Sequence, residues 1–416
     1  MRINAFAVFV LVVLCLASSA HGRANQLYRA VLKTQAQEIP FFLELSEFRG
    51  EWAKIWNGNE KITIQGFETN GSEIVIEFPH YSSMITAKSD SNGQLIGEWK
   101  KQTGEDKWTS IEFAAKRIAY SKKPLRFPRH FKITEEIEKP TTVDGRWAVK
   151  FSSEESPAIG VFKEGKDKTV EGTFLTATGD YRYLAGSYEY GLLRLSCFDG
   201  SHAFLFHARM QSDGTLQGDF WSGAKWHETW TAKRDDNAVL PDGFDLTEIN
   251  PKVRLKGLKF PDLEGKERAL GEPGLLGKAT IIEIFGSWCP NCHDAAELLV
   301  ELEKKYGPRG LKVVGLAFES GDTERDVRQV KRYLERHKAM YPVLLAGVRD
   351  REKASVALPV IEKLQSYPTF LFVDADGEVR SVYSGFSGPA TGEEYAKLRK
   401  QFEGVIEKLL AGPGGD

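Results

Sequence analysis

The apolar run Thr280-Ile281-Ile282-Glu283-Ile284-Phe285 leads through Gly286-Ser287 into Trp288-Cys289-Pro290-Asn291-Cys292-His293. That order limits the local fold sharply, because a buried strand must hand over to a helix whose first turn carries two cysteines. Two intervening residues on such a turn bring both sulfurs within disulfide distance. The unpaired N–H groups of the turn and the helix dipole face the first sulfur and favour its thiolate. Pro290 suits a first turn, where its missing donor is no loss. Cys289 is therefore expected to attack and Cys292, more deeply placed, to resolve, with a Cys289–Cys292 disulfide as the oxidised form. A structural zinc site needs two further ligands, and the other cysteines, Cys15 and Cys197, lie far off in sequence. His293 completes no four-ligand set, so no metal is expected.

At 416 residues the chain exceeds one domain of about 150, which makes two or three domains the expectation. A net charge of -2 carries no nucleic-acid footprint. Arg2, the apolar stretch Ala5 to Ala17 and the small residues Ser18-Ser19-Ala20 read as a signal peptide over residues 1–20. The apolar stretch is shorter than the roughly 20 residues of a membrane helix, with an uncleaved anchor as the alternative. Export of the chain would leave Cys197, Cys289 and Cys292, too few for a disulfide scaffold. Cys197 is expected to be a buried small hydrophobe at a strand end.

Two regions follow. Residues 25–240 alternate short β-branched and aromatic segments with Gly, Asn and Asp turns, as in Lys61-Ile62-Thr63-Ile64-Gln65 and Leu192-Leu193-Arg194-Leu195-Ser196, the pattern of an all-β antiparallel domain. An internal repeat runs through it. Asn92-Gly93-Gln94-Leu95-Ile96-Gly97-Glu98-Trp99 echoes Asp213-Gly214-Thr215-Leu216-Gln217-Gly218-Asp219-Phe220, with hairpin turns at Asn92-Gly93 and Asp213-Gly214. Gly50-Glu51-Trp52 and Gly145-Arg146-Trp147 open the two copies, and Ala115-Lys116-Arg117 and Ala232-Lys233-Arg234 close them. The units span about 40–119 and 140–236, joined by the proline-rich basic linker Ser121 to Arg129. Periodicity leaves open whether they close as a barrel, pack as a sandwich or stand apart. Trp221, Trp226 and Trp230 are expected to fill a core rather than line a ligand cleft, and the β half to bind or dock without chemistry of its own.

From Pro251 strands alternate with helices, an α/β layer pattern over 251–412. The expected order is a strand over Ala279 to Phe285, a helix from Cys292 to Tyr306, a strand over Leu311 to Phe318 and a charged helix from Thr323 to His337. A short strand over Tyr341 to Leu345, a helix from Ala354 to Leu364, strands over Thr369 to Asp374 and Val379 to Ser384, and a closing helix from Glu393 to Leu410 follow.

This order, with Gly286-Ser287-Trp288-Cys289-Pro290-Asn291-Cys292, then Tyr367-Pro368-Thr369-Phe370-Leu371-Phe372-Val373-Asp374 and Asp376-Gly377, resembles the thioredoxin fold. More closely it resembles the TlpA/ResA-like branch of exported thiol-disulfide oxidoreductases. The opening Phe260-Pro261-Asp262-Leu263-Glu264-Gly265-Lys266 and the helix from Thr323 to His337 suit that branch. The resemblance implies that Pro368 is cis and lies against the dithiol, that Trp288, Tyr367, Pro368 and Thr369 dock substrate, and that Glu283 is a buried carboxylate moving the proton of Cys292. It further implies protein disulfides as substrates, a membrane or periplasmic thiol electron donor, and a periplasmic location in a bacterium. No flavin or nicotinamide motif accompanies it, so no cofactor is expected. Pairs of this kind span roughly -270 to -120 mV, so Pro290-Asn291 alone leaves direction open, and the resemblance tilts it toward reduction. Two other readings compete: a peroxiredoxin-type thiol peroxidase, which wants a threonine where Gly286 stands, and a β-domain ligand-binding protein with an accessory redox site.

Overall fold

The computed structural model describes residues 25–34, 37–46, 52–104, 107–119, 142–153 and 155–412. The expected signal peptide, the start of the first repeat copy at Gly50-Glu51 and the basic linker lie outside them.

The first β unit is a nine-stranded antiparallel sheet built from β1 (Gln26–Lys33), β2 (Glu38–Ser46), β3 (Trp52–Asn57), β4 (Glu60–Gln65), β5 (Glu68–Asn70), β6 (Glu73–Phe78), β7 (Ser83–Ser89), β8 (Leu95–Gly104) and β9 (Lys107–Ile118). Its order is β4-β3-β2-β1-β9-β8-β7-β6-β5, so among the described residues β4 and β5 are its edges and no strand pairing closes it. The second unit comprises β10 (Gly145–Phe151), β11 (Ala158–Glu164), β12 (Thr169–Thr176), β13 (Gly179–Asp180), β14 (Leu184–Glu189), β15 (Leu192–Phe198), β16 (Ala203–Met210), β17 (Leu216–Ser222) and β18 (Trp226–Arg234). Here β10 pairs with both β11 and β18, and β11 pairs with β12, so the sheet closes on itself as a barrel with the short β13 as an appendage. Closure removes open strand edges.

The two units share one close approach. Ala87 faces Gly97 across β7 and β8, and Ala208 faces Gly218 across β16 and β17. A Cβ at Gly97 would stand 1.9 Å from the Thr86 carbonyl oxygen, and one at Gly218 would stand 1.8 Å from that of His207, so neither position admits a side chain.

The barrel interior is packed with rings, among them Trp147, Phe151, Phe174, Phe206, Phe220 and Trp230. Phe174 stacks on Phe206 at 4.4 Å and Phe206 on Phe220 at 4.2 Å. Of the three tryptophans expected in a core, Trp230 is buried there, Trp221 packs against the first sheet's core, and Trp226 is exposed. Cys197 is buried on β15. The hairpin of β15 and β16 packs on the first sheet: Phe198, Ala203 and Leu205 enter its core, with Phe198 against Phe41 at 4.5 Å and Trp99 at 5.3 Å. Asn57 locks the junction, its amide donating to the Phe198 carbonyl at 3.0 Å and accepting from the Phe198 N–H at 3.1 Å.

After the hairpin of β19 (Lys259–Pro261) and β20 (Glu267–Ala269), the C-terminal layer runs β21 (Ala279–Phe285), α1 (Pro290–Tyr306), β22 (Leu311–Glu319), α2 (Thr323–His337), β23 (Val343–Val348), α3 (Arg351–Ala357), β24 (Thr369–Asp374), β25 (Val379–Ser384) and α4 (Glu393–Ala411). The sheet order is β23-β22-β21-β24-β25, with β21, β22 and β23 parallel and the last two antiparallel. All seven residues of β21 are buried, as a central strand covered on both faces requires. The helix expected over Ala354 to Leu364 is shorter and starts earlier. Asp350 caps its N-terminus, and it ends before Leu358, which Pro359 holds out of helical geometry.

Replacing Trp230 with alanine should open a cavity in the barrel and cost about 3–5 kcal/mol. Urea unfolding should show the loss as a lowered midpoint of the barrel's transition.

Candidate active site

Cys289 is the N-cap of α1 and Cys292 sits one turn in, its N–H donating to the Cys289 carbonyl at 3.1 Å. Both are free thiols, the reduced form of a dithiol. Cys289 keeps 7% exposure and Cys292 none. The Cys289 thiol lies 3.6 Å from the carbonyl oxygen of Tyr367, and the Tyr367–Pro368 bond is cis. Trp288 is pinned by its indole N–H, which donates to the Phe318 carbonyl at 2.8 Å, and its ring stands edge-on to Tyr367 at 5.4 Å. Thr369 is fully buried, its hydroxyl donating to the Ser366 carbonyl at 2.9 Å, and it stands among β24 residues behind the loop.

Glu283 lies in β21 with no exposure, and neither carboxyl oxygen has a hydrogen-bond partner of good geometry. Burial pushes its pKa well above the usual carboxylate value, negative charge at Cys289 adds to the rise, and the Tyr341 hydroxyl opposes it. Burial likewise raises the Cys292 thiol, reinforced by the Cys289 sulfur beside it and by Glu283. Tyr333 closes this pocket from α2, donating its hydroxyl to the Cys292 carbonyl at 2.8 Å. Of the residues expected at the site, Cys289, Cys292, Glu283, Trp288 and the Tyr367–Pro368 pair come together around the first turn of α1.

Three groups at the site carry no sequence signal. Glu319, at the end of β22, accepts from the Ser287 N–H at 2.6 Å and the Ser287 hydroxyl at 2.9 Å, and burial lifts its pKa to about 8. His293 bonds through Nε2 to the Ser287 carbonyl at 2.9 Å and through Nδ1 to His337 Nε2 at 2.7 Å. A carbonyl only accepts, so Nε2 of His293 carries the proton and Nδ1 accepts from His337. Burial and neighbouring positive charge push His293 well below its usual pKa and keep it neutral. Third, Arg182 of the barrel donates to Asp294 and to the Pro290 carbonyl, the latter at 3.2 Å, and reaches Glu60 of the first sheet at 2.8 Å.

Those contacts bring all three units around the dithiol. Asp180 accepts from the Gly388 N–H at 2.6 Å, while Gln329 and Arg325 of α2 donate to the Pro79 carbonyl and the Ser82 hydroxyl of the first unit. Between them lies a cleft of about 410 Å³ whose wall includes Trp288, Cys289, Pro290 and Asn291. Among the described residues no cluster of His, Cys, Asp or Glu is arranged to hold a metal ion.

Residues 251–382 match the AhpC/TSA family. Over 161 residues the chain is 26% identical to the thiol-disulfide oxidoreductase ResA of Bacillus thuringiensis subsp. konkukian, covering 38% of this chain and 85% of that protein. It is 24% identical over 151 residues to the thioredoxin-like protein YneN of Bacillus subtilis, covering 34% and 81%. Among solved structures, a thiol:disulfide interchange protein of the thioredoxin family from Chlorobium tepidum aligns at 23% identity over 39% of this chain and 99% of that one, with a TM-score of 0.30.

The buried carboxyl of Glu283 makes stability depend on pH. With its folded pKa raised, the native state holds the proton more tightly than the unfolded chain. Its stabilising contribution is therefore full below the unfolded value near 4.5 and is lost as pH rises toward the folded value. Glu283→Gln should remove this component, so that thermal unfolding followed from pH 5 to pH 9 falls less steeply in the variant than in the parent.

Proposed function

We propose, from an AhpC/TSA-family thioredoxin-fold domain with ResA-type relatives, that the chain is an exported thiol-disulfide oxidoreductase that reduces protein disulfides through Cys289 and Cys292. The observation that carries this reading is the stacking of three groups: a slightly exposed thiol at a helix N-cap, a buried thiol one turn behind it, and a fully buried carboxyl close to both whose nearest polar neighbour is the Tyr341 hydroxyl.

Each part of that stack has a task. The Cys289 thiolate attacks one sulfur of a substrate disulfide and expels the other as a thiolate, leaving a mixed disulfide. Cys292 gives its proton to Glu283 in its ionised form and attacks Cys289, so the substrate sulfur bonded to Cys289 leaves as a thiolate and the Cys289–Cys292 bridge forms. Two electrons pass from the dithiol to the substrate, and an external thiol donor on the exported side must return them. Burial raises the pKa of both Glu283 and Cys292, and a carboxylate made more basic in this way is a better acceptor for the thiol's proton. Trp288 shelters the pair, and Tyr367 and Pro368 offer backbone for an extended substrate. Thr369, with its hydroxyl tied to Ser366, serves by holding that loop.

A peroxidase of peroxiredoxin type is the reading the family match also brings to the table. Gly286 places no hydroxyl three residues before Cys289, which favours disulfide over peroxide as the electrophile.

Mixing the reduced protein with a protein disulfide should oxidise it. Cys292→Ala should accumulate the mixed disulfide and Cys289→Ala should form none, both visible by non-reducing mass spectrometry. Equilibration with thiol buffers should place the Cys289–Cys292 couple near or below about -230 mV. A value near -120 mV, or peroxide turnover faster than disulfide turnover, would overturn the assignment.

A further inference from the structure

Glu283 can take a proton from Cys292 only if it first exists as a carboxylate. It has no exposure, and among the described residues it forms no ion pair. A bare carboxylate in such an interior is costly unless a hydrogen-bond donor reaches it. The titratable groups that face it are Cys289 and Cys292 of α1, Tyr333 of α2 and Tyr341 just ahead of β23. Cys289 as a thiolate repels the carboxylate, and the Cys292 proton is the one to be transferred. The supporting donor is therefore a phenol.

Sheet register decides which phenol. Glu283 pairs with Gly315 of β22, and Gly315 pairs with Val343 of β23. The three lie in one row on one face, and Gly315 places no side chain between the outer two. Tyr341 stands two residues before Val343, and the ladder continues back toward it, with the Pro342 carbonyl accepting from the Gly315 N–H at 2.9 Å. A period of two carries Tyr341 to the same face, where it is buried in the core that holds both cysteines. The Tyr333 hydroxyl has its one proton committed to the Cys292 carbonyl at 2.8 Å. By contrast the Tyr341 hydroxyl and both Glu283 oxygens have, among the described residues, no hydrogen bond of good geometry. Tyr341 is faced by Glu283, Glu303, Cys292 and Tyr333; burial and the first three push its pKa up, so it keeps its proton and remains a donor. A hydroxyl turns about its C–O bond, and a carboxylate holds such a donor roughly twice as strongly as a neutral acid does.

We propose that Tyr341 is a positioning residue for the resolving step: its hydroxyl turns to donate to the Glu283 carboxylate while that group awaits the Cys292 proton, and is released once the proton arrives. The inference rests on the reading of Glu283 as the base for Cys292. In that step the Cys292 S–H bond breaks, the proton passes to Glu283, the sulfur's electron pair forms the bond to Cys289, and the substrate sulfur leaves as a thiolate. Tyr341 keeps its own proton throughout.

The full-length reduced protein, mixed in a stopped-flow cell with one equivalent of dithiobis-nitrobenzoate, a disulfide whose thiolate is coloured, reports the two steps separately. Attack by Cys289 releases the first coloured thiolate and resolution by Cys292 the second. Tyr341→Phe should slow the second phase relative to the first by about tenfold near neutral pH and move its pH midpoint up by about one unit, because a carboxylate without its donor ionises less readily. Glu283→Gln, which has no charge to support, should also slow the second phase, and adding Tyr341→Phe to it should change the rate by less than about twofold. A packing role would slow both backgrounds alike. An unshifted pH profile in Tyr341→Phe, or an equal loss in the Glu283→Gln background, would overturn this proposal and leave the oxidoreductase assignment standing. If Glu283→Gln keeps the parent's second phase, the base falls and the proposal with it; if the parent shows no first phase, the assignment itself fails.

Discussion

The buried guanidinium of Arg182 ties the three parts of this molecule to one another. It reaches Glu60 in the first sheet, Asp199 in its own barrel at 3.8 Å, and Asp294 and the Pro290 carbonyl on the active-site helix. One cation cannot neutralise three carboxylates, and the group divides the task by environment. Asp199 is held below its ordinary pKa, with His202 and Arg182 outweighing burial, while burial raises Asp294 and lifts Glu60 to about 7. Burying such an array is expensive, and hydrophobic packing could join the units as well. What the array adds is direction, because a guanidinium bonded to three fixed groups and paired with a fourth restricts how the units sit about the first turn of α1.

With the arrangement set, the dithiol acquires its asymmetry. Cys289 faces a cleft shared with the β units, and Cys292 faces Glu283, Tyr333 and Tyr341 in the interior. The outer half of the site is polar and bonded, through Glu319 to Ser287 and through His293 to Ser287 and His337. The inner half holds a carboxyl whose oxygens, among the described residues, have no hydrogen bond of good geometry. A buried acid so poorly satisfied is costly, and the neighbouring buried thiol gives it a proton to exchange.

The two β units show how similar sequence patterns reach different closures. Both turn at an X-Gly pair, Asn92-Gly93 and Asp213-Gly214, and both bring a glycine against an alanine on the neighbouring strand. Yet among the described residues one sheet has its end strands β4 and β5 unpaired with each other and the other closes as a barrel. Strand alternation states which face of each strand is buried, but whether the first strand meets the last depends on the accumulated twist and on what fills the centre. In the barrel the centre is filled by stacked rings, and in the first sheet by Phe198 and its neighbours, lent by the barrel.

Local chemistry was readable along the chain. The strand before the motif, the helix that Cys289 caps and the lone carboxylate at 283 lie within short segments where periodicity and residue type act directly, whereas the proline at position 368 was legible only through the family resemblance. The helix boundary near Pro359 was misplaced because an apolar run reads alike in a helix and in the buried stretch that follows it. Nothing along the chain linked Arg182 to Asp294, His293 to His337, or Gly179 to Asn291, since each pair is far apart in sequence: the first and third meet only when separate units pack, and the second only when two helices of the C-terminal layer do. The reacting atoms are therefore a property of a few consecutive residues, set by strand, turn and helix dipole. Access to them is a property of the whole molecule, because the opposing wall belongs to sheets whose closure and placement depend on long-range packing.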